Sequence, residues 1–163
     1  MLKRRDEAAK ELVPSRRDSS TVSAVRGALQ NLREEIAGGL LTSVERRVTS
    51  DVLGDLLQLA RLALAGATEG EKNVAAVLAA VAYEDTIRRI AKEHAGAIGR
   101  DKLESVIDRL KDAGLLVAPQ LGIALSFLSF RNHALHAEWD EIDKTSVTSV
   151  LSFVQELLLK HFS

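Results

Sequence analysis

Residues 71–95 read EKNVAAVLAAVAYEDTIRRIAKEHA, and this stretch decides the fold. An α-helix turns by about 100° per residue, so that residues three and four positions apart share a face. On that wheel one arc of the segment collects a set of apolar residues: Val77, Ala80, Val81, Ile87 and Ala91. The pattern predicts a long helix from about Glu71 to Ala95 that buries this arc against other helices.

Two charged residues, Glu84 and Arg88, fall inside the same apolar arc. An ionised side chain is rarely buried without a partner. Because the two lie four residues apart with the acid first, we expect them to pair with each other. The pair is either a structural ion pair at the edge of a cleft or a support for a functional site.

Two helices are predicted before this segment. The first begins after the capping cluster Asp18-Ser19-Ser20, carries a narrow apolar stripe from Val22 to Ile36 and ends at Gly38-Gly39. The second is expected to bury one face made of Leu41, Val44, Val48, Val52, Leu56, Leu59 and Leu62 or Ala63. We expect these two helices to form an antiparallel hairpin.

Three helices are predicted after the segment. The fourth helix opens with the capping-box-like Asp101-Lys102-Leu103-Glu104 and ends at Gly114. The fifth starts near Pro119 and the sixth near Lys144, with an acidic loop, 137–143, between them and Asp143 as a cap. Their expected core faces are Leu103, Val106, Ile107 and Leu110; Leu121, Ala124, Leu125 and Leu128, continuing into Arg131 and Asn132; and Val147, Val150, Leu151, Val154, Leu158 and Phe162.

The whole pattern contains no sustained alternation of apolar and polar residues, which a half-buried strand would require. It therefore predicts an all-α up-and-down bundle of about six helices without a sheet. We expect residues 41–163 to form the bundle. Residues 1–40 are expected to form a helical extension that packs on the bundle or on a partner.

Composition narrows the class of protein. The 163 residues suffice for one domain with a single core. The absence of cysteine excludes disulfides, thiolate metal sites and cysteine nucleophiles. The balance of 22 basic and 23 acidic side chains argues against a protein that binds nucleic acid over its whole surface, but it does not exclude a local basic pocket. No segment has the pattern of a signal peptide or of a membrane span, so we expect a cytoplasmic protein without membrane contact.

The stretch Phe130–His136, FRNHALH, is the strongest candidate for chemistry. It places polar groups where an apolar helix meets a loop. A guanidinium such as that of Arg131 binds phosphate oxygens through two parallel hydrogen bonds, and imidazole transfers protons near neutral pH. The sequence contains no other recognisable site motif: it has no phosphate-binding Gly-rich loop, no nucleophile elbow and no His-Glu-x-x-His.

Arg131, Asn132 and His136, with four residues between the Arg and the His, resemble the motif of the HEPN superfamily (higher eukaryotes and prokaryotes nucleotide-binding). The surrounding order is also similar. A helix that contains Glu84 and, after it, two arginines comes first. A shorter helix that ends in Lys-Asp-Ala-Gly-Leu-Leu comes next, and then the motif helix, an acidic loop and a last amphipathic helix. The resemblance covers roughly residues 70–163 well and 41–69 weakly, and it implies an all-helical bundle.

The resemblance implies a metal-independent endoribonuclease without a cofactor, of the kind found in toxin–antitoxin and antiviral defence systems, that leaves a 2′,3′-cyclic phosphate. His136 would transfer protons and Arg131 would hold the phosphate. Asn132 would orient Arg131 or bind an oxygen, and Glu84 would hold Arg131 or Arg88. The resemblance carries no role over to His133, which is either a second proton donor or polar surface.

The expected partners are RNA or a nucleotide, a second copy in a homodimer, and a cognate antitoxin or nucleotidyltransferase. Some family toxins carry a Tyr, two residues after the His, that a nucleotidyltransferase modifies. Glu138 stands there in this chain, which argues against that form of control. The alternative function is a non-catalytic HEPN-like module that binds a nucleotide, RNA or a protein partner.

Several interpretations of these residues stay open. Five residues at 100° place Arg131 and His136 about 140° apart on a straight helix. Either the helix unwinds before His136 or two motifs meet across a dimer. Arg131 and Asn132 are alternatively structural anchors of the last helix. His133 and His136 with Glu138 or Asp140 are an alternative metal site, although no third ligand is set by the spacing.

Two other features receive structural interpretations. Arg89 and His94 repeat the Arg-to-His spacing, but no Asn follows Arg89 and it lies off the apolar arc, so we interpret this second match as a decoy. Trp139, in the acidic loop, is expected to be a packing lid more than a surface on which bases stack.

Overall fold

The structure, a computed structural model, describes residues 17–37, 39–96 and 99–162. These residues form six α-helices, one short 3₁₀ turn and no strand, so the all-α prediction is confirmed. The elements are α1 (Arg17–Ala37), α2 (Leu40–Leu64), α3 (Glu69–His94), α4 (Leu103–Asp112), α5 (Gln120–Leu135), the 3₁₀ turn (Trp139–Glu141) and α6 (Lys144–His161). They fall into two compact units that divide between Ser43 and Val44.

α3 is the central helix of the second unit and packs against α4, α5 and α6. Its buried surface is wider than the predicted arc because three helices contact it from different sides. The buried residues are Lys72, Ala75, Ala76, Ala79, Ala80, Ala82, Tyr83, Thr86, Ile87, Ile90 and Ala91. Val81, which was assigned to the buried arc, is instead exposed, and Val77 is only half-buried.

The start of α3 explains its position in the chain. Thr68 accepts a hydrogen bond from the backbone N–H of Glu71, and the Glu71 carboxylate accepts one from the backbone N–H of Thr68. This capping box satisfies two N–H groups that the first turn of the helix leaves unpaired.

The corresponding prediction for α4 is wrong. No side chain caps its first turn, because the carboxylate of Asp101 instead accepts a hydrogen bond from Arg109 Nη2 at 2.6 Å. The predicted core face of α4 is confirmed. The helix ends at Asp112, two residues before the expected Gly114, whose φ of +70° suits a residue without a Cβ.

The predicted buried face of α2 is also wrong. Val44, Val48, Val52, Leu59 and Leu62 are exposed, and the residues buried in their place are Thr49, Leu53, Leu57 and Ala60. The two sets are centred about 140° apart on the helical wheel, so α2 is apolar over two faces. Packing in the second unit buries one of these faces, while the larger aliphatic stripe stays accessible. The side chain of Leu41 lies outside the described residues.

α1 begins earlier than predicted, at Arg17, so that Asp18, Ser19 and Ser20 lie within its first turn. The side chains described on α1, residues 23–35, are all exposed, including Val25, Leu29 and Leu32 of the predicted stripe. The side chains of Val22 and Ile36, and all of Gly38, lie outside the described residues.

α5 and α6 complete the core. Every residue predicted for the core face of α6 is buried, and Asp143 caps the helix by accepting a hydrogen bond from the backbone N–H of Ser146. On α5 the prediction holds for Ala124 but not for Leu125, which is exposed; Phe130 and Ala134 are buried instead. No helix within the described ranges is long and apolar enough to cross a membrane.

Tyr83 of α3 fixes the position of α5 against it. Its hydroxyl donates a hydrogen bond of 2.6 Å to the carbonyl oxygen of Ala124, and its ring packs against Phe127 and Phe153. Burial raises the pKa of Tyr83, the nearby charge of Glu84 raises it further and Arg131 opposes both. The hydroxyl therefore stays protonated and keeps its donor role. This contact holds the middle of α5 close to Glu84.

Candidate functional site

Glu84 of α3 and Arg131 of α5 form the centre of the candidate site. Nε and Nη2 of Arg131 both donate to Oε2 of Glu84, at 2.8 and 2.6 Å. The side chains are 27% exposed for Arg131 and 21% exposed for Glu84, so the contact is partly shielded from water but accessible to a ligand. Glu84, which the sequence offered as a holder of Arg131 or Arg88, thus contacts Arg131 from the neighbouring helix.

The predicted pair of Glu84 with Arg88 is also present. Nε of Arg88 donates to the other carboxylate oxygen, Oε1, at 2.8 Å. Glu84 therefore contacts two guanidinium groups, one on each oxygen. Two positive charges and one negative charge leave this group of three side chains with a net charge of about +1, because an arginine side chain stays protonated in proteins.

The surroundings of Glu84 keep it ionised. Burial raises the pKa of this carboxyl group, but the hydrogen bonds and positive charges of Arg88 and Arg131 outweigh burial and hold the pKa below its ordinary value. Because the pKa of Glu84 is lower in the folded chain than in the unfolded chain, the ionised carboxylate stabilises the fold. This contribution to the free energy of unfolding is complete above the ordinary Glu pKa and is lost as the pH falls through the lowered pKa. The ion pairs are therefore intact at neutral pH.

Asn132 follows Arg131 on α5 and is exposed. Its Oδ1 accepts a hydrogen bond of 2.9 Å from Nη1 of Arg131, so the predicted orienting contact is observed. A guanidinium has five N–H groups. Glu84 and Asn132 take three of them, and among the described residues the remaining two, one on each Nη, have no hydrogen-bond acceptor. Arg131 can therefore still donate to a ligand from both terminal nitrogens.

His136 lies directly after the last residue of α5. Its backbone N–H donates to the carbonyl oxygen of Asn132 at 3.0 Å, and Ala137 follows with a φ of 61°, where the chain turns away. The helix therefore ends just before His136, but the helical bond of its backbone N–H to Asn132 means that this end does not by itself bring the imidazole to Arg131. The His136 side chain is exposed, and no hydrogen bond or ion pair joins it to Arg131 in the described part of the chain.

His133 faces a different surface. Its Nε2 lies 3.4 Å from Oγ of Ser129 and 3.7 Å from Oε2 of Glu138. Both neighbours contact the same ring nitrogen, whereas a serine–histidine–acid relay uses one nitrogen for each partner. The three residues are therefore not arranged as a catalytic triad.

A depression of about 460 Å³ lies beside His133 and is lined also by residues 137–141. Trp139 within it is half-buried and packs against the core, as expected of a lid. The buried Lys72 donates to the carbonyl oxygen of Trp139 at 3.4 Å and so connects the 3₁₀ turn to α3.

The structure also bears on the proposed metal site and on the second Arg-to-His match. The described residues contain no group of three or more His, Asp or Glu side chains placed to hold a metal ion, so the set of His133, His136 and Glu138 or Asp140 does not form. Arg89, the arginine of the second Arg-to-His match, is engaged elsewhere: it donates to Asp85 at 2.6 Å and to Thr49 of α2 at 3.0 Å.

One contact of the candidate site could not be predicted from the sequence pattern. Nη1 of Arg88 donates at 3.1 Å to the backbone carbonyl oxygen of Asp101, just before α4. Every residue carries such a carbonyl, so no residue type marks this contact in the sequence.

The chain matches no protein-family model, no curated protein and no solved structure. The residues of the site themselves therefore carry the functional argument.

Proposed function

We propose that the chain is a HEPN-like endoribonuclease that cleaves RNA without a metal ion. One observation carries the proposal: Glu84 and Asn132 hold the Arg131 guanidinium at the surface with two N–H groups to spare, near the helix end that presents His136. A fixed, planar cation and an exposed imidazole are the two groups that transesterification of an RNA phosphodiester requires.

In the proposed reaction, the ribose 2′-oxygen attacks the adjacent phosphorus. The O2′–P bond forms, the P–O5′ bond breaks, the 2′-hydroxyl loses a proton and the departing 5′-oxygen gains one. His136 transfers protons, and Arg131 donates to the phosphate oxygens as negative charge develops on them. The products are a 2′,3′-cyclic phosphate and a 5′-hydroxyl. His133 is a second proton donor or polar surface.

The charge of the site suits this substrate. Arg131, Arg88 and Glu84 together carry about one positive charge, and an internal phosphodiester carries one negative charge. A terminal phosphate or a nucleotide polyphosphate carries more, so the cluster would compensate it less completely. We therefore favour an RNA chain over a free nucleotide as the ligand.

The proposal extends to partners. A homodimer would bring two copies of Arg131 and His136 to one groove, which would supply both an acid and a base. A role in toxin–antitoxin or antiviral defence, with a cognate antitoxin as partner, belongs to the same proposal.

A second candidate function is a non-catalytic module that binds a nucleotide, RNA or a protein. Arg131 already uses its Nε and Nη2 on Glu84, and this ion pair links α3 to α5. The same geometry would serve as a structural anchor, which favours this candidate if His136 has no effect on RNA.

The test is incubation of the purified protein with RNA, with and without a chelator. We expect cleavage that survives chelation and leaves 2′,3′-cyclic phosphate ends. His136→Ala should lower the rate by roughly 10²–10⁴-fold with the fold intact, because it removes the proton-transfer group. Arg131→Lys should lose a similar factor because an ammonium cannot reproduce the planar fork.

Arg89→Ala is the matched control and should keep near wild-type cleavage, since Arg89 contacts Asp85 and Thr49 away from the motif. If Arg131→Ala unfolds the protein while His136→Ala changes nothing, the motif is structural and the binding module is the better description.

A further inference from the structure

Two ion pairs of the same spacing stand next to each other on α3. Glu84 pairs with Arg88 at 2.8 Å, and Asp85 pairs with Arg89 at 2.6 Å. Because one residue along a helix is a rotation of about 100°, the two pairs face different neighbours. The second pair reaches Thr49 of α2. The first pair reaches Arg131 of α5 and the start of α4.

Arg88 connects Glu84 of α3 to the backbone just before α4. Its Nε donates to Oε1 of Glu84 at 2.8 Å, and its Nη1 donates to the carbonyl oxygen of Asp101 at 3.1 Å. The carboxylate of Asp101 accepts a further hydrogen bond from Arg109 of α4 at 2.6 Å. The guanidinium of Arg88 is thus held between a side chain of α3 and the backbone just before α4.

We propose that Arg88 is a positioning residue that fixes the Glu84 carboxylate and through it the guanidinium of Arg131; the functional meaning rests on the proposed phosphate-binding role of Arg131. Arg88 occupies Oε1, which prevents the carboxylate from rotating and leaves Oε2 to Nε and Nη2 of Arg131. The anchor of Arg88 on the Asp101 carbonyl sets where Oε1 must lie. The orientation of Arg131 therefore depends on how α4 begins, although no residue of α4 itself contacts Arg131 among the hydrogen bonds described.

Arg88 also determines the charge that Arg131 presents. With Arg88 removed, Glu84 and Arg131 form an isolated pair of net charge zero. Glu84 is then free to take both of its oxygens to Arg131 in a fork of two parallel hydrogen bonds, with a different orientation of the two side chains. Loss of Arg88 thus turns a positively charged site into a neutral one and lets the Arg131 side chain change its orientation.

The experiment compares Arg88→Ala, Arg88→Lys and the matched control Arg89→Ala with the wild type. The first readout is the NMR signal of the Arg131 Nε–H group, identified as the one missing from Arg131→Lys. We expect this signal to be shifted or broadened in Arg88→Ala and unchanged in Arg89→Ala. The second readout is RNA cleavage, for which we expect kcat/KM to fall about 10–100-fold in Arg88→Ala, since a displaced catalytic group costs up to about 10²-fold.

Arg88→Lys separates positioning from charge because it keeps the positive charge without the planar fork. We expect it to remain impaired in both readouts, and recovery to the wild-type level would assign the effect to charge and overturn the positioning role. An unchanged Arg131 signal in Arg88→Ala overturns it whatever the activity, as does an equal loss in Arg88→Ala and Arg89→Ala. If the wild type cleaves no RNA, the proposed function fails, while the NMR signal still decides the role of Arg88.

Discussion

At the scale of single residues, His161 is the imidazole whose surroundings differ most from water. It lies at the end of α6 beside His94, with the ring centroids 5.9 Å apart, and its buried Nε2 has no hydrogen-bond partner within the described residues. Burial lowers the pKa of His161, the positive charges of Lys160 and His94 lower it further, and Glu93 opposes them. The folded chain therefore keeps this ring neutral at a pH at which the unfolded chain protonates it.

This difference predicts an acid-sensitive contribution to stability. The unfolded chain takes up a proton at His161 near the ordinary His pKa of about 6.5, whereas the folded chain does so only at lower pH. The free energy of unfolding should therefore fall as the pH drops below about 6.5 and level off below the lowered pKa. Denaturant unfolding between about pH 7.5 and 5 should show a smaller fall in His161→Gln than in the wild type. An equal fall in both proteins would contradict this role.

Residue by residue, the candidate site was only partly predictable. Arg131, Asn132 and His136 lie within six consecutive residues, so their types and spacing are visible in the sequence. The ion pair of Glu84 with Arg88 follows from a four-residue spacing on one helix. The contact of Arg88 with the Asp101 carbonyl depends on where the backbone before α4 comes to lie, and no local pattern contains that information.

At the scale of elements, α2 shows what helical periodicity leaves open. Its residues supply two apolar faces, and Leu57 is 1% exposed while Leu59, two positions later, is 54% exposed. The stripe with the larger aliphatic side chains was the natural candidate for burial. The structure instead buries the face with Thr49, Leu53, Leu57 and Ala60.

The two leucines give a matched test. Leu57→Ala should lower the free energy of unfolding by about 2–5 kcal/mol, because it removes buried surface and leaves a cavity. Leu59→Ala should change the stability of the protomer by no more than about 0.5 kcal/mol. Chemical denaturation followed by circular dichroism measures both, and a series of protein concentrations separates any loss of association. The reverse order of effects would restore the face predicted from sequence.

At the scale of the whole molecule, exposed aliphatic side chains are unevenly distributed. α1 exposes Val25, Leu29 and Leu32, and α2 exposes a stripe that includes Leu59 and Leu62. Large exposed apolar patches are uncommon on soluble monomers and often mark contacts between chains. A second copy is the simplest partner, because an isologous contact pairs the same surface on both protomers.

We predict that the protein is a homodimer in light scattering at micromolar concentration. A charged residue within the α2 stripe, Leu62→Glu, should shift the mass toward that of one protomer, because the contact would bury an unpaired charge. Leu159→Glu on α6 is the control, since Leu159 is 62% exposed and Leu62 is 65% exposed. A wild-type protein that is monomeric under these conditions would exclude the shared groove.

The sequence by itself determined the helical class, the approximate bounds of the helices, the cap at Asp143, the core face of α6 and the polar motif at the end of α5. All of these depend on residues within a few turns of one another, where steric and hydrogen-bonding preferences act directly. Only the tertiary structure decided which face of α2 is buried, how far burial extends around α3, and that Phe130 rather than Leu125 packs into the core. It also decided that one carboxylate, Glu84, holds two arginines from different helices. These outcomes depend on which surfaces meet, and a helix that is apolar on two sides, or that is packed between several neighbours, carries no local signal that selects one arrangement.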